Sequence, residues 1–174
     1  MANGKKTTIT QPDRESRQGN SAGDRATLIK NLNEDLAREY QAIISYVIYS
    51  QVLTGPEYMD VATELEKHAA EELKHAIIIS KQIDYLGGMP TAEPKPVHVT
   101  DDNKEMLRTD LRNETETIRN YRQRVRQCEA LGEYAMAELI RGILVNEQDH
   151  QIDLATALGI DVPQVEGSGP ANLK

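Results

Sequence analysis

The 174-residue chain has no tryptophan and no phenylalanine, a single cysteine (Cys128), and few prolines or glycines away from its two ends and one central stretch. One cysteine excludes an internal disulfide framework and any metal site built from thiolates alone, and it fits a reducing, cytoplasmic setting. Nowhere does the chain hold the ~18 consecutive apolar residues that a membrane span needs. Its first residues, MANGKKTTITQPDRESRQ, lack the apolar core of a secretory signal. Positive charge is also short, with 20 Lys and Arg against 28 Asp and Glu, for a net charge of -8. That balance argues against a nucleic-acid surface on the folded part and suits a protein that attracts cations. What remains is rich in Ala, Glu, Leu, Ile and Arg, the composition of a helical domain. The length suits one domain that buries roughly two thirds of its unfolded surface.

Residues 1–24 are polar and aperiodic and read as a disordered tail. Lys5, Lys6, Arg14 and Arg17 give that tail the only means of weak contact with an anionic partner such as nucleic acid. Apolar residues then recur at spacings of three and four through residues 25–160, which predicts four helices. The first runs from about Leu28 to Leu53 with Leu32, Leu36, Ile43 and Tyr46 on its stripe, and Thr54-Gly55-Pro56 ends it. The second runs from about Glu57 to Tyr85 with Val61, Leu65, Ile79 and Ile83 inward, and Gly87-Gly88 stops it. Asp101 or Asp102 caps the third, which carries Leu107, Leu111, Ile118, Tyr121, Val125 and Cys128 inward as far as Ala130. After Leu131-Gly132 the fourth carries Met136, Ile140, Ile143 and Leu154 inward to about Leu158, and Gly159 ends it. Residues 161–174 read as an irregular tail.

The connection between the second and third helices, GGMPTAEPKPVHVTDD, is long and proline-rich. A helix of ~29 residues spans ~44 Å, and an extended segment of this length covers ~50 Å, so the connection can run the whole length of a bundle. The expected fold is therefore all-α: a four-helix bundle with a long crossover, of the ferritin-like rather than the up-down-up-down kind.

The two helix pairs repeat. A shift of 75 positions carries Leu32 to Leu107, Leu36 to Leu111, Ile43 to Ile118, Leu65 to Ile140 and Ile79 to Leu154. The same shift carries Glu39 to Glu114, Tyr46 to Tyr121, Glu72 to Glu147 and His75 to His150. All of these polar residues fall on the apolar stripes, so they point inward. Four buried carboxylates would each cost several kcal/mol of desolvation unless a cation sat among them. Two divalent ions balance four glutamates, and one Glu from each of two helices with a Glu-x-x-His from each of the other two is the di-iron or di-manganese carboxylate constellation. Oxygen and imidazole ligands without thiolate suit iron or manganese, with zinc as a redox-inert occupant. Tyr46 and Tyr121 stand two turns from Glu39 and Glu114, where they can hydrogen-bond the ligands across the bundle. His68 lies one turn before Glu72, but its repeat mate is Ile143, so it reads as a supporting or core histidine rather than a ligand or an iron-entry residue. His98, in the crossover, reads as exposed, and Cys128 as a small core residue.

The segments LNEDLAREYQAIISY, EELKHA, EMLRTDLRNETE and NEQDHQIDLATAL resemble the four helices of bacterioferritin and its ferritin-like di-iron relatives, over about residues 28 to 160. The resemblance implies metal ligation by Glu39, Glu72, His75, Glu114, Glu147 and His150, with Glu72 and Glu147 bridging and Tyr46 as the ligand-bonding tyrosine. It implies a ferroxidase that binds two ferrous ions and oxidises them with O2 or H2O2, for iron storage, detoxification and protection from oxidative stress. Two departures stand out. Leu73 occupies the place of the haem-ligating Met, which removes the haem expected there, and the tail lacks the short fifth helix of a 24-subunit cage. A twelve-subunit, Dps-like cage and a simple dimer are then open beside the 24-subunit form. Two other functions remain as alternatives: a non-storing di-metal redox enzyme of the manganese catalase or peroxidase-like kind, and a DNA-protecting assembly protein with structural metal.

Overall fold

The structure, a computed structural model, describes residues 14–165, with side chains from residue 24 onward. Among the described residues four α-helices form the fold: α1 (Arg14–Val52), α2 (Met59–Tyr85), α3 (Asn103–Ala130) and α4 (Tyr134–Leu158), with a 3-10 turn at Pro56–Tyr58 ahead of α2. α1 packs along α2 and α3 along α4, and contacts of α1 with α3 and of α2 with α4 close the bundle. Each boundary has a local cause. Asp102 caps α3 by accepting from the Glu105 amide at 2.7 Å. Gly159 ends α4 in the left-handed conformation, φ 65°, where a side chain would be strained.

The N-terminus corrects the expectation from the sequence. Residues 1–13 lie outside the described residues, but from Arg14 on the stretch read as disordered tail belongs to α1. Apolar periodicity reports where a helix packs, not where it begins. Once Leu28 and Leu32 hold the helix against the core, adding upstream turns of Arg, Glu, Gln and Ala costs no new nucleation. At the other end of the chain, residues 161–165 carry no regular structure, and residues 166–174 of the stretch read as an irregular tail lie outside the described residues.

The crossover runs along α1. Asn33 Nδ2 donates to the Met89 carbonyl at 3.2 Å, the Lys95 amide donates to the Ala37 carbonyl at 2.9 Å, and the Tyr49 hydroxyl donates to the His98 carbonyl. Its far end is pinned beside the α1 terminus, where Asn103 Nδ2 donates to the Thr54 carbonyl at 2.6 Å and its Oδ1 accepts from the Thr54 amide at 3.2 Å. α3 therefore begins at the end of the bundle where α2 begins, and runs parallel to it. The side chain of His98 is exposed, as the sequence suggested.

The core divides into two apolar plugs. Leu28, Leu32, Leu36, Ile79, Ile83, Cys128, Met136, Ile140 and Ile143 fill one end. Tyr46, Tyr49, Leu65, Met106, Leu107, Leu111 and Leu154 fill the other. Between them lies a layer of buried polar side chains, and the plugs are what keep water from it.

Candidate metal centre

The polar layer is built from one turn of each helix. Glu39 on α1, Glu72 and His75 on α2, Glu114 on α3, and Glu147 and His150 on α4 are all 3% exposed or less. Residues i and i+3 share a helix face, so each Glu-x-x-His presents its carboxylate and imidazole to the same space. The four helices bring these six side chains together as two overlapping groups. Glu39, Glu72, His75 and Glu147 form one, and Glu72, Glu114, Glu147 and His150 form the other, with the ligand atoms of each within 4.8 Å of one another. Glu72 and Glu147, the repeat mates, belong to both.

Both imidazoles turn Nδ1 inward. His75 Nδ1 is 3.0 Å from Glu72 Oε2, 3.0 Å from Glu147 Oε1 and 3.4 Å from Glu39 Oε2. His150 Nδ1 is 3.0 Å from Glu72 Oε1 and 3.9 Å from Glu147 Oε2. The outer ring nitrogens are held by a second pair of repeat mates: His150 Nε2 is 3.0 Å from Glu71 Oε2, and His75 Nε2 is 3.4 Å from Asn146 Oδ1. A bond at Nε2–H fixes the tautomer that leaves Nδ1 free to bind a cation. The tyrosines cross the bundle as expected, the Tyr46 hydroxyl donating to Glu114 Oε1 and the Tyr121 hydroxyl to Glu39 Oε1.

The electrostatics follow from burial. Desolvation, with the nearby Glu72 and Glu147 charges, pushes Glu39 well up, and desolvation with Glu147 and Glu72 does the same to Glu114. Desolvation opposes charge on His75 as well, but hydrogen bonds to Glu147, Glu39 and Glu72 outweigh it and raise the imidazole. His150 behaves likewise: burial lowers it, Glu72 more than compensates, and it titrates at about 9. Burial opposes charge on Glu72, but the His150 and His75 imidazoles beside it prevail and hold the carboxyl low. Burial, then Glu114 and Glu39 respectively, raise the Tyr46 and Tyr121 phenols.

These residues fit a pair of divalent cations. Glu39 Oε2, Glu72 Oε1, both carboxylate oxygens of Glu147 and His150 Nδ1 are buried without a hydrogen-bond partner. His150 Nδ1 and Glu72 Oε1 are 3.0 Å apart yet not aligned as donor and acceptor. Buried polar atoms are rarely left so, and a cation supplies what the protein does not.

The inner faces also hold charged residues that the sequence reading passed over. Asp35, one turn before Glu39, accepts from Arg124 Nε at 2.6 Å and Nη2 at 3.2 Å in a buried ion pair. Its repeat mate Asp110 instead accepts from Ser45 Oγ at 2.6 Å, and burial lifts it to about 7. Asp35, Asp110, Glu71 and Asn146 were all findable by applying the 75-residue shift to polar positions beside the ligands. His68 is buried beside this layer, its ring stacked on that of His150 with centroids 4.0 Å apart. Cys128 is buried, and burial raises its thiol to about 11, so it is an inert core residue.

Comparison with known proteins places the chain among ferritin-like proteins. The chain is 27% identical to a bacterioferritin of Brucella melitensis, over 76% of this chain and 86% of that one. It is 30% identical to a bacterioferritin of Desulfovibrio desulfuricans, over 76% of this chain and 74% of that one. A crystal structure described as ferritin like, diiron-carboxylate proteins, from Bacillus anthracis, superposes with a TM-score of 0.75 at 32% identity, covering 78% of this chain and 97% of that one. Residues 29–161 match the ferritin family, described as a ferritin-like domain, and the chain belongs to that family.

Proposed function

We propose that the protein is a ferroxidase that takes up two ferrous ions per chain and oxidises them with O2 or H2O2, in support of iron storage, detoxification and protection from oxidative stress. The observation that carries this is the pair of overlapping four-residue groups sharing Glu72 and Glu147. In this reading Glu39 and His75 complete one metal position, Glu114 and His150 the other, and Glu72 and Glu147 bridge. Each ferrous ion gives up one electron, and the pair reduces O2 with two protons to H2O2, or H2O2 with two protons to two waters.

The chain's own residues do three things for this chemistry. Four carboxylates match the charge of two divalent ions, and the apolar plugs on either side exclude water that would screen that match. Tyr121 and Tyr46 hold Glu39 and Glu114 by one oxygen each, which leaves the other free for a cation. Glu71 and Asn146 hold the imidazoles in the binding tautomer.

No helix among the described residues is long and apolar enough to cross a membrane. A cytoplasmic homo-oligomer completes the proposal, supported by the lone buried Cys128 and by apolar side chains left exposed on α1 and α2: Ile44, Val47, Leu73 and Ile77. Leu73 offers no ligand atom, so haem has no place beside Glu72. Of the basic residues on which any DNA contact would rest, Lys5 and Lys6 lie outside the described residues, and Arg14 and Arg17 belong to the first turns of α1.

Anaerobic titration should give two ferrous ions bound per chain and their oxidation on admission of air. Glu72→Ala with Glu147→Ala should abolish both, and an unchanged oxidation rate would sink the assignment. Native mass measurement with metal analysis separates the alternatives, since a dimer holding only two manganese ions per chain would replace storage with the non-storing redox enzyme.

A further inference from the structure

Between α2 and α4 the surface opens in two depressions, of about 370 and 350 Å³, and Glu64, His68 and Asp153 line both. The second also reaches Glu71 and His150, so it leads from solvent to the edge of the metal centre. His68 sits at the focus of the three. Its Nε2 is 3.4 Å from Asp153 Oδ2 and 4.0 Å from Glu64 Oε1, and one donor atom from each of the three residues falls within 4.8 Å of the others.

As a hydrogen-bonded group His68 is poorly served. It is 2% exposed, its Nδ1 has no partner, and its Nε2 makes one contact at the outer limit of hydrogen bonding. Lys67 bonds the other oxygen of Glu64, Oε2, at 2.6 Å, so Oε1 is not consumed by that pair. The side chains of Glu64 and Asp153 are 39% and 48% exposed, which keeps the cluster open to ions from solvent. Ligands bound to one ion at ~2.1 Å stand ~3.4 Å apart in a tetrahedron and at most ~4.2 Å apart when opposite each other. The observed separations of 3.4 and 4.0 Å lie in that range.

We propose that Glu64, His68 and Asp153 bind a third divalent cation, outside the dinuclear centre and on the route by which ferrous iron reaches it. The route rests on the ferroxidase reading; the site does not. His68 stacks on His150, so a cation released from it needs to pass only one ring to meet the ligands behind.

Zn²⁺ is the probe, because it is redox-inert and accepts imidazole and carboxylate together. Crystals of the full chain soaked in Zn²⁺ and measured at its absorption edge should show an anomalous peak ~2.0–2.2 Å from His68 Nε2, and equilibrium dialysis should count three ions per chain. Glu64→Gln with Asp153→Asn should lose one ion and that peak while keeping the two of the centre. Glu72→Ala with Glu147→Ala should keep the peak beside His68 while emptying the centre, which tells failure of this site from failure of the ferroxidase reading. A wild-type crystal without the peak, or three ions still held by the Glu64 and Asp153 variant, would overturn the site. Ferrous oxidation at limiting iron should slow severalfold in that variant, and an unchanged rate would overturn the route.

Discussion

Binding two divalent ions should expel roughly four protons at pH 7. Without metal, burial and mutual repulsion raise Glu39 and Glu114, and hydrogen bonds to the glutamates raise His75 and His150. Four carboxylates and two imidazoles that hold four protons are neutral as a group, and the same six groups stripped of protons are neutral with two divalent ions. The exchange conserves charge in a layer where an uncompensated ion costs several kcal/mol. The sign is fixed by the direction of the shifts. Cations bind the deprotonated form, so binding must strengthen as pH rises while the metal-free groups still hold their protons. Four coupled protons amount to about 5 kcal/mol, or ~10⁴-fold in the overall constant for both ions, per pH unit. Above about 9, where His150 gives up its proton, the count should fall by one. Calorimetry with Zn²⁺ at one pH, in buffers of different protonation enthalpy, measures the count. Fewer than about two protons at pH 7 would mean that the empty site tolerates its charge, and would refute both the compensation argument and its burial premise.

Glu71→Ala and Asn146→Ala, which touch no inward ligand atom, should each weaken metal binding by roughly 10- to 100-fold by freeing an outer imidazole nitrogen; Zn²⁺ titration reads this, and unchanged affinity would remove them from the design. Asp110 is held up to about 7 by burial, against 3.8 ordinarily, so the folded state keeps a proton that the unfolded chain has lost. Stability should therefore fall as pH rises through that window, and Asp110→Asn should stabilise the metal-free protein at pH 8, by on the order of 2 kcal/mol, more than at pH 4. Thermal melts at the two pH values check the difference, and equal effects would contradict it. At Gly88 a Cβ would lie 2.6 Å from Ile29 Cγ2 and 3.1 Å from Ile83 Cγ2. Gly88→Ala should thus cost about 1–3 kcal/mol, or ~2–4 °C of melting temperature per kcal/mol, and an unchanged melting temperature would show that α1 and the start of the crossover have room to part.

The centre was legible because its information is local and doubled. Glu72 with His75 alone is a common helical spacing. Its repetition as Glu147 with His150, together with Glu39 and Glu114 on apolar stripes, identified the six side chains that converge. Tyr46 and Tyr121 followed from the same period, and the length of the crossover from helix geometry. The start of α1 did not follow, because Arg14–Asp24 carry no apolar stripe from which a helix could be read. Nor did the ion pair of Asp35 with Arg124: its members lie 89 positions apart, and their repeat mates Asp110 and Tyr49 pair otherwise.

By itself, then, the sequence determined which residues face inward, because helical period is set within each helix by backbone geometry. It determined a pair of like half-sites, because a two-helix unit is used twice. Only the tertiary structure decided the pairing across helices: that His150 reaches Glu72 of the other half-site, that Glu71 holds His150 while Asn146 holds His75, and that His68 meets Asp153. Axial register and rotation between helices come from how whole faces pack, and no local spacing encodes them.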